Sequence, residues 1–416
     1  MEIKNFDGKT TTEDLHRTRI SLAWILFFGV LPFDKAALAL YINPSLGSYI
    51  SYALNAITLF FAFFLMLNGS AKKILKDKLC TKYILYFALL IFIYSISSLI
   101  SSDFTISRIL SLICLLSYYL FSICKYNSIY DLLQDINIAL LVIVVISFIL
   151  YLLGNPNVFY TENATTLTFK GIAANRNSYA EVTMFLIVSS FCIYQKKRKL
   201  LPLVFSAGLS IYTTLLTNSA TATICVILLS GSLLLTSIEK IAKHLSFGMF
   251  AFAYFAIFIL LILFQNTDGG IFQWVTETFN KDVTFTGRTD LWSAAIKAIC
   301  QKPIFGYGYD TDVLLQYGMQ YTDPHNSILY ILLTEGIIGF IAFLVMILSV
   351  FAKKKDSKLK SNYIYASMLI FFMIWLIRGL VESGCSYSHF LFWVSIIIVL
   401  DRLQLENEVK NAGNHV

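Results

Sequence analysis

Residues Ser327–Phe351 read SILYILLTEGIIGFIAFLVMILSVF. Glu335 is the one acidic or basic side chain in this run, and Ile, Leu, Phe and Val fill most of the rest. A helix needs roughly 20 largely apolar residues to cross a bilayer, and this stretch supplies them. An outer-membrane strand would instead alternate apolar and polar residues over about 10 positions. The run therefore predicts a transmembrane helix, and the same reading applies through most of the chain.

Further apolar runs of this kind are Ile20–Tyr41, Ser48–Asn68, Lys82–Ile100, Thr105–Ile123, Ile136–Leu153, Ser178–Tyr194, Leu200–Thr217, Ser219–Ser237, Leu245–Phe264, Asn362–Leu380 and His389–Leu403. The expected fold is all-α: a polytopic transmembrane helical bundle of about 12 spans, forming a single integral membrane domain over 1–416, with a long, partly helical extracytoplasmic loop over 265–325. Composition agrees. Of 416 residues, 57% are hydrophobic and 14% charged, with a mean hydropathy of +0.70, against about 25% charged residues in soluble domains.

Orientation follows from Lys and Arg in the short loops. With the N-terminus inside, alternate loops hold Lys72, Lys73, Lys76 and Lys78; Lys125; Lys196, Lys197, Arg198 and Lys199; Lys240 and Lys243; and Lys353, Lys354 and Lys355. The intervening loops are poor in both residues. Both termini are thus expected in the cytoplasm. The net charge of +7 reflects this topology and contact with anionic lipid rather than nucleic-acid binding. The seven cysteines form no CxxC pair and no metal-ligand spacing, so neither a metal site nor a cofactor is expected.

Two outer loops stand apart, Gly154–Asn177 and Gln265–His325. Long ordered loops in compact proteins are usually functional. The spans contain few ionisable residues: Arg108, Glu181, Glu335 and Arg378. Arg108 and Arg378 lie near span ends, where a long side chain can snorkel to the headgroups. Within the longer loop, Leu291, Trp292, Ala295, Ile296 and Ile299 fall on one helical face. This predicts a helix lying at the outer interface, with Trp292 at headgroup level, Thr286 or Thr289 as its cap, and Arg288 in its first turn. A cation is unfavourable there for the helix dipole. A planar guanidinium beside free N–H groups suits a phosphate; a headgroup anchor is the other reading. The glycines of Pro303-Ile304-Phe305-Gly306-Tyr307-Gly308 predict a tight turn. Asp323-Pro324-His325-Asn326 closes the loop at the mouth of the Ser327 helix.

Taken in order, Gly171-x-x-x-Asn175-Arg176-Asn177, Gly287-Arg288-x-x-Leu291-Trp292, Pro303-Ile304-x-Gly306-x-Gly308, His325-Asn326-x-x-Leu329 and Glu335-Gly336-x-x-Gly339 resemble the O-antigen ligase and O-antigen polymerase (Wzy-type) superfamily. The resemblance is strongest over Thr286–Phe343 and extends through most of the chain. It implies a metal-independent inverting glycosyl transfer on the periplasmic face of a bacterial inner membrane, with an undecaprenyl-diphosphate-linked oligosaccharide as donor. It adds membrane lipids, a chain-length regulator and a flippase of the same pathway as partners. One position departs from the pattern. In Thr217-Asn218-Ser219-Ala220-Thr221, Ala220 stands where the family often has an arginine for the diphosphate, and Arg176 is the candidate to replace it.

Chemically, a sugar hydroxyl is a poor nucleophile near neutral pH, and a histidine has a suitable ordinary pKa for a general base. His325 is expected in that role. Arg288 is expected to stabilise charge on the leaving diphosphate. Arg176, Asn177, Asn326, Asp323 and Glu335 are the expected substrate-binding residues. The expected function is polymerisation of lipid-linked repeat units into O-antigen or capsular polysaccharide. Ligation of the polysaccharide to lipid A-core is the alternative, and a lipid-linked oligosaccharide flippase is the alternative of another class.

Overall fold

The computed structural model describes residues 78–100, 106–126, 128–163, 166–172, 176–236, 245–263, 284–308, 311–351, 362–382 and 396–401, with single positions between 49 and 60 and at 403 and 406. The expected runs Ile20–Tyr41 and Ser48–Asn68, most of His389–Leu403, both termini and the basic loops at 238–244 and 352–360 lie wholly or mainly outside the described residues.

The apolar runs form helices. In chain order these are α1 (Lys78–Ile100), α2 (Ile106–Lys125), α3 (Ile129–Leu152), α4 (Arg176–Lys197), α5 (Leu200–Leu216), α6 (Ala220–Thr236), α7 (Phe247–Leu263), α8 (Thr284–Gln301), the single turn α9 (Val313–Gln316), α10 (Ser327–Phe351) and α11 (Tyr363–Arg378). By length and composition, Ile129–Leu152 and Ser327–Ser349 are long and apolar enough to cross a membrane. Shorter apolar helical stretches are Ile84–Ile100, Leu200–Leu216, Ala220–Thr236, Phe247–Ile259 and Tyr363–Arg378. Long apolar side chains such as Leu201, Leu234 and Phe252 point away from the protein. Water would make that outer face a liability, whereas lipid solvates it.

Helix α4 is the central element. It packs against α3, α5, α6 and α11, and every residue from Tyr179 to Cys192 is buried. Small and hydroxylated side chains let its neighbours approach closely, as is usual between membrane helices. Thr183 Oγ1 lies 2.9 Å from Thr214 Oγ1 of α5. Asn137 of α3 donates to Ser189 and Ser190 Oγ at 2.9 and 2.7 Å.

The outer loop after α3 departs from the all-α expectation. Phe159–Asn163 (β1) and Thr166–Phe169 (β2) pair as an antiparallel hairpin, with Phe159 opposite Phe169 and Tyr160 opposite Thr168. Aromatic and β-branched residues favour this pleated, half-buried setting. Phe169 anchors the hairpin, with its ring 5.5 Å from those of both Tyr151 and Tyr179.

The long loop differs from expectation in its partner. Leu291, Trp292 and Ala295 do share a buried face, but it packs on protein rather than lipid. With Val313, Leu314, Leu329 and Leu333 they form a second core between α8, α9 and the start of α10. Trp292 is 1% exposed, and its indole N–H donates to the Pro324 carbonyl at 2.9 Å. A headgroup position would have left the ring half in lipid. The helix also begins at Thr284, so Thr286 and Thr289 lie within it rather than capping it, and Arg288 follows its first turn.

Helix α10 is broken at Gly336, whose φ of 66° and ψ of −165° are non-helical. A regular helix would join Ile337 N–H to the Leu333 carbonyl and Ile338 N–H to that of Thr334. The Pro303–Gly308 turn takes over all four groups. Tyr307 and Gly308 N–H donate to the Leu333 and Thr334 carbonyls at 2.8 and 2.9 Å, and Ile337 and Ile338 N–H donate to the Pro303 and Ile304 carbonyls at 2.8 and 3.4 Å. Ser97 of α1 adds its hydroxyl, 2.6 Å from the Phe305 carbonyl and 2.5 Å from that of Thr334. The loop thus reaches past the mouth of α10 to bond its seventh, eighth, eleventh and twelfth residues.

A Cβ at Gly336 would lie 2.2 Å from the Ile304 carbonyl oxygen, on a residue already at positive φ. Gly336→Ala is therefore expected to cost several kcal/mol, on the order of 2–4, from backbone strain and loop displacement. Gly248→Ala meets no atom within 4 Å and should be near neutral. Thermal unfolding of the two purified variants in detergent checks the contrast.

Candidate active site at the mouth of helix α10

The N-terminus of α10 docks on the turn that ends α11. Ser327 N–H donates to the Gly379 carbonyl at 2.6 Å, and Ser327 Oγ donates to that of Glu382 at 3.2 Å. Asn326 caps α10: its Oδ1 accepts from Ile328 and Leu329 N–H at 3.0 and 3.1 Å, and its Nδ2 donates to the Leu380 carbonyl at 3.0 Å. The side chain is 1% exposed. Its amide therefore holds the corner, an ordinary task for Asn before a helix.

His325 sits at the bend before that cap, with φ of 49°. A left-handed backbone is uncommon in a residue other than glycine, and such strain gathers at functional sites. Asp323 supports the bend by accepting His325 N–H on Oδ1 at 2.7 Å. The imidazole Nδ1 lies 4.0 Å from Asp323 Oδ1 and 4.0 Å from Glu382 Oε2. Tyr321 meets the ring edge-on, with centroids 5.2 Å apart. The histidine side chain is 31% exposed, half open to the mouth.

Arg288 reaches the same place from α8. Its Nη1 donates to the Val381 carbonyl at 2.6 Å, and its Nη2 to Glu382 Oε1 at 3.3 Å. The structure thus joins Arg288, His325 and Asp323 as the sequence predicts, and the residue between the arginine and the histidine is one the sequence reading missed. Glu382 has 10% side-chain exposure and touches both. A carboxylate beyond the end of a span was its one signal.

Arg378, expected to snorkel, is buried at 2% exposure and forms a salt bridge with Glu181 of α4, itself 0% exposed. Its other terminal nitrogen donates to the Asn177 carbonyl at 2.8 Å. A charge held this deep survives only when paired and hydrogen-bonded. Asn177 also accepts from Ser219 Oγ at 3.0 Å, and Ser219 in turn caps α6 through Ala222 N–H at 3.3 Å. The N-terminal ends of α4 and α6 are therefore adjacent. Arg176 and Ala220 are the first residues of α4 and α6; the side chain of Arg176, like that of Arg108, lies outside the described residues. Glu335 does not join this group. It lies beside the Gly336 break, with Oε2 turned toward Gly339 on its own helix. Among the described residues no group of His, Cys, Asp and Glu has the geometry to hold a metal ion.

Residues 205–344 match the O-antigen ligase family, a segment that contains Arg288 and His325 and stops before Glu382. The chain is similar to the ComP-specific O-oligosaccharyltransferase of Acinetobacter baylyi, at 24% identity over 59% of this chain and 42% of that protein. It is also similar to the O-antigen ligase of Pseudomonas aeruginosa, at 28% identity over 27% of this chain and 29% of that protein. The matched parts thus span less than half the length of either relative.

Removing one member of a buried ion pair leaves the other uncompensated, at a cost of about 3–5 kcal/mol, whereas an apolar replacement of both is often neutral. Glu181→Leu and Arg378→Met alone are each expected to destabilise by that order. The double variant should recover much of the loss, short of the Asn177 hydrogen bond. Thermal unfolding of all three in detergent measures the coupling.

Proposed function

We propose, from the match of residues 205–344 to the O-antigen ligase family, that the chain is a membrane glycosyltransferase of the ligase kind. It moves an oligosaccharide from undecaprenyl diphosphate to the hydroxyl of a separate acceptor such as lipid A-core. The polymerase reading expected from the sequence gives way here, because the two relatives are by name a ligase and an oligosaccharyltransferase. The observation that carries the proposal is the convergence of Arg288 and His325 on one carboxylate at the mouth of α10.

The chemistry divides between two sides of the mouth. The acceptor hydroxyl gives its proton to His325 as its oxygen attacks the anomeric carbon. The bond from that carbon to the diphosphate breaks, and the leaving oxygen keeps the electron pair. Negative charge then grows on a group that needs electrostatic support more than protonation. Arg288 supplies one planar fork. The adjoining N-termini of α4 and α6 supply free N–H groups and the positive ends of two helix dipoles. Arg176 stands at that junction and replaces the arginine that Ala220 lacks. Attack opposite the leaving group inverts the anomeric centre. The donor's lipid tail lies in the outer leaflet, so the site faces the periplasm. The flippase alternative is disfavoured because, among the described residues, the ion pairs gather at one end of the bundle instead of lining a path through its midplane.

Purified protein in vesicles, given a preformed lipid-diphosphate-linked oligosaccharide and lipid A-core, tests the proposal. A ligase moves the glycan to lipid A-core with release of lipid diphosphate. Lengthening of the lipid-linked glycan without that acceptor would return the reading to polymerase. Movement of intact donor between leaflets with no new glycosidic bond would make it a flippase.

In the same assay His325→Ala is expected to lower turnover by roughly 10²–10⁴-fold while donor affinity stays close to wild type. Arg288→Ala should weaken both, and Arg288→Lys should recover little, because an ammonium does not reproduce a planar fork. Donor binding measured alongside turnover checks the division of roles. Loss of both together in His325→Ala would move the histidine to the diphosphate side.

A further inference from the structure

Glu382 lies outside every motif quoted above and beyond the segment that matches the family. It is 7% exposed overall, and a carboxylate so placed requires compensation. Its two oxygens face two different groups. Oε1 accepts from Arg288 Nη2 at 3.3 Å, and Oε2 lies 4.0 Å from His325 Nδ1. The residue is itself held in place, since its backbone carbonyl accepts from Ser327 Oγ and the preceding Val381 carbonyl accepts from Arg288.

Resting on the glycosyl-transfer reading above, we infer that Glu382 is the positioning residue of the catalytic centre: its carboxylate orients His325 so that Nε2 faces the acceptor, and balances the imidazolium that forms. Two carboxylates face Nδ1, so that nitrogen carries the proton in the neutral ring and Nε2 keeps the lone pair. When Nε2 takes the acceptor's proton, the new positive charge sits opposite Glu382. Asp323 is equally distant from Nδ1 but is the weaker partner. Its Oδ1 already accepts His325 N–H, and its side chain is 32% exposed, against 10% for Glu382. Solvent screens the more open charge more strongly. Tyr321 contributes a ring edge to the imidazole and no formal charge. The Arg288 contact gives Glu382 a second task, since one carboxylate keeps the base and the diphosphate ligand at a fixed spacing. A base and an electrostatic clamp must be held in register for both to act on one anomeric centre.

The test uses Glu382→Gln, Glu382→Asp, His325→Ala and the double variant His325→Ala/Glu382→Gln, assayed as full-length protein in vesicles. Glutamine keeps the shape and an acceptor for Arg288 and removes only the charge. Glu382→Gln is expected to lower kcat on the order of 10²-fold with donor KM within about threefold. Glu382→Asp should regain about a tenth of wild-type kcat, restoring the charge on a shorter side chain. Because Glu382 acts through His325, the double variant should be no slower than His325→Ala alone, whereas a purely structural role would make the losses multiply. Wild-type kcat in Glu382→Gln, or multiplying losses in the double variant, would overturn the inference. Where Glu382→Gln does not accumulate, Glu382→Asp decides: a lowered kcat at unchanged KM supports positioning, and unchanged kcat removes it. The underlying reading fails separately, if His325→Ala retains near-normal transfer. If His325→Ala is inactive while Glu382→Gln is fully active, the role of Glu382 alone falls.

Discussion

A backbone that leaves helical geometry in an apolar surrounding must find new partners for every N–H and C=O it frees, because lipid offers none. That requirement organises the half of this protein that holds the candidate site. The break at Gly336 frees four groups, and the Pro303–Gly308 turn satisfies them one for one. Two glycine-bearing motifs that look independent in the sequence are thus the two sides of one joint. Its closeness explains the glycines: a Cβ at Gly306 would lie 2.6 Å from the Leu333 carbonyl oxygen, as one at Gly336 would crowd Ile304. With the turn anchored, α8 packs through Leu291, Trp292 and Ala295 onto the first half of α10. Arg288 and His325, on separate elements, then have fixed relative positions.

Electrostatics completes what the joint begins. The Arg378–Glu181 pair ties the end of α11 to α4 with almost no solvent contact, and the Asn177 carbonyl accepts from the second terminal nitrogen of the guanidinium. Replacing such a pair by apolar residues often costs little, so its value here is in place more than in energy. It sets the start of α4 against the turn that carries Glu382. From there the chain of contacts runs through Ser327 and Asn326 to His325, and through Ser219 to the start of α6. Parts of the site drawn from four helices and two loops are joined by polar contacts at one end of the bundle.

What could be read from the sequence was local. Each apolar run declares a helix by its own composition, and the 3.6-residue period around Trp292 declared the buried face of α8. Periodicity tells which face is apolar but not what covers it, so protein was mistaken for lipid. Arg378 looked like a snorkelling side chain because its partner, Glu181, is 197 residues away. Glu382 was missed for the same reason: its meaning depends on a contact with Arg288 94 residues earlier. Asn326 carried a signal of another kind. An Asn directly before an apolar run is a helix-cap signal, and the capping role was there to be read beside the sugar-binding one. The hairpin at Phe159–Phe169 was too short for its alternation to stand out.

The joint between the turn and α10 also bears on how the chain is made. Ser97, the Pro303–Gly308 turn and then Leu333–Ile338 leave the ribosome in that order. Neither the turn nor the break can be satisfied alone. When Ser327–Phe351 first partitions into the bilayer, its lowest-energy form is an unbroken helix with its backbone paired internally, and the turn remains outside. Docking then exchanges two internal bonds for four external ones, at the cost of bending Gly336 into its unusual backbone state. The joint thus requires a tertiary rearrangement within α10, and Arg288 and His325 take up their relative positions only once it has occurred.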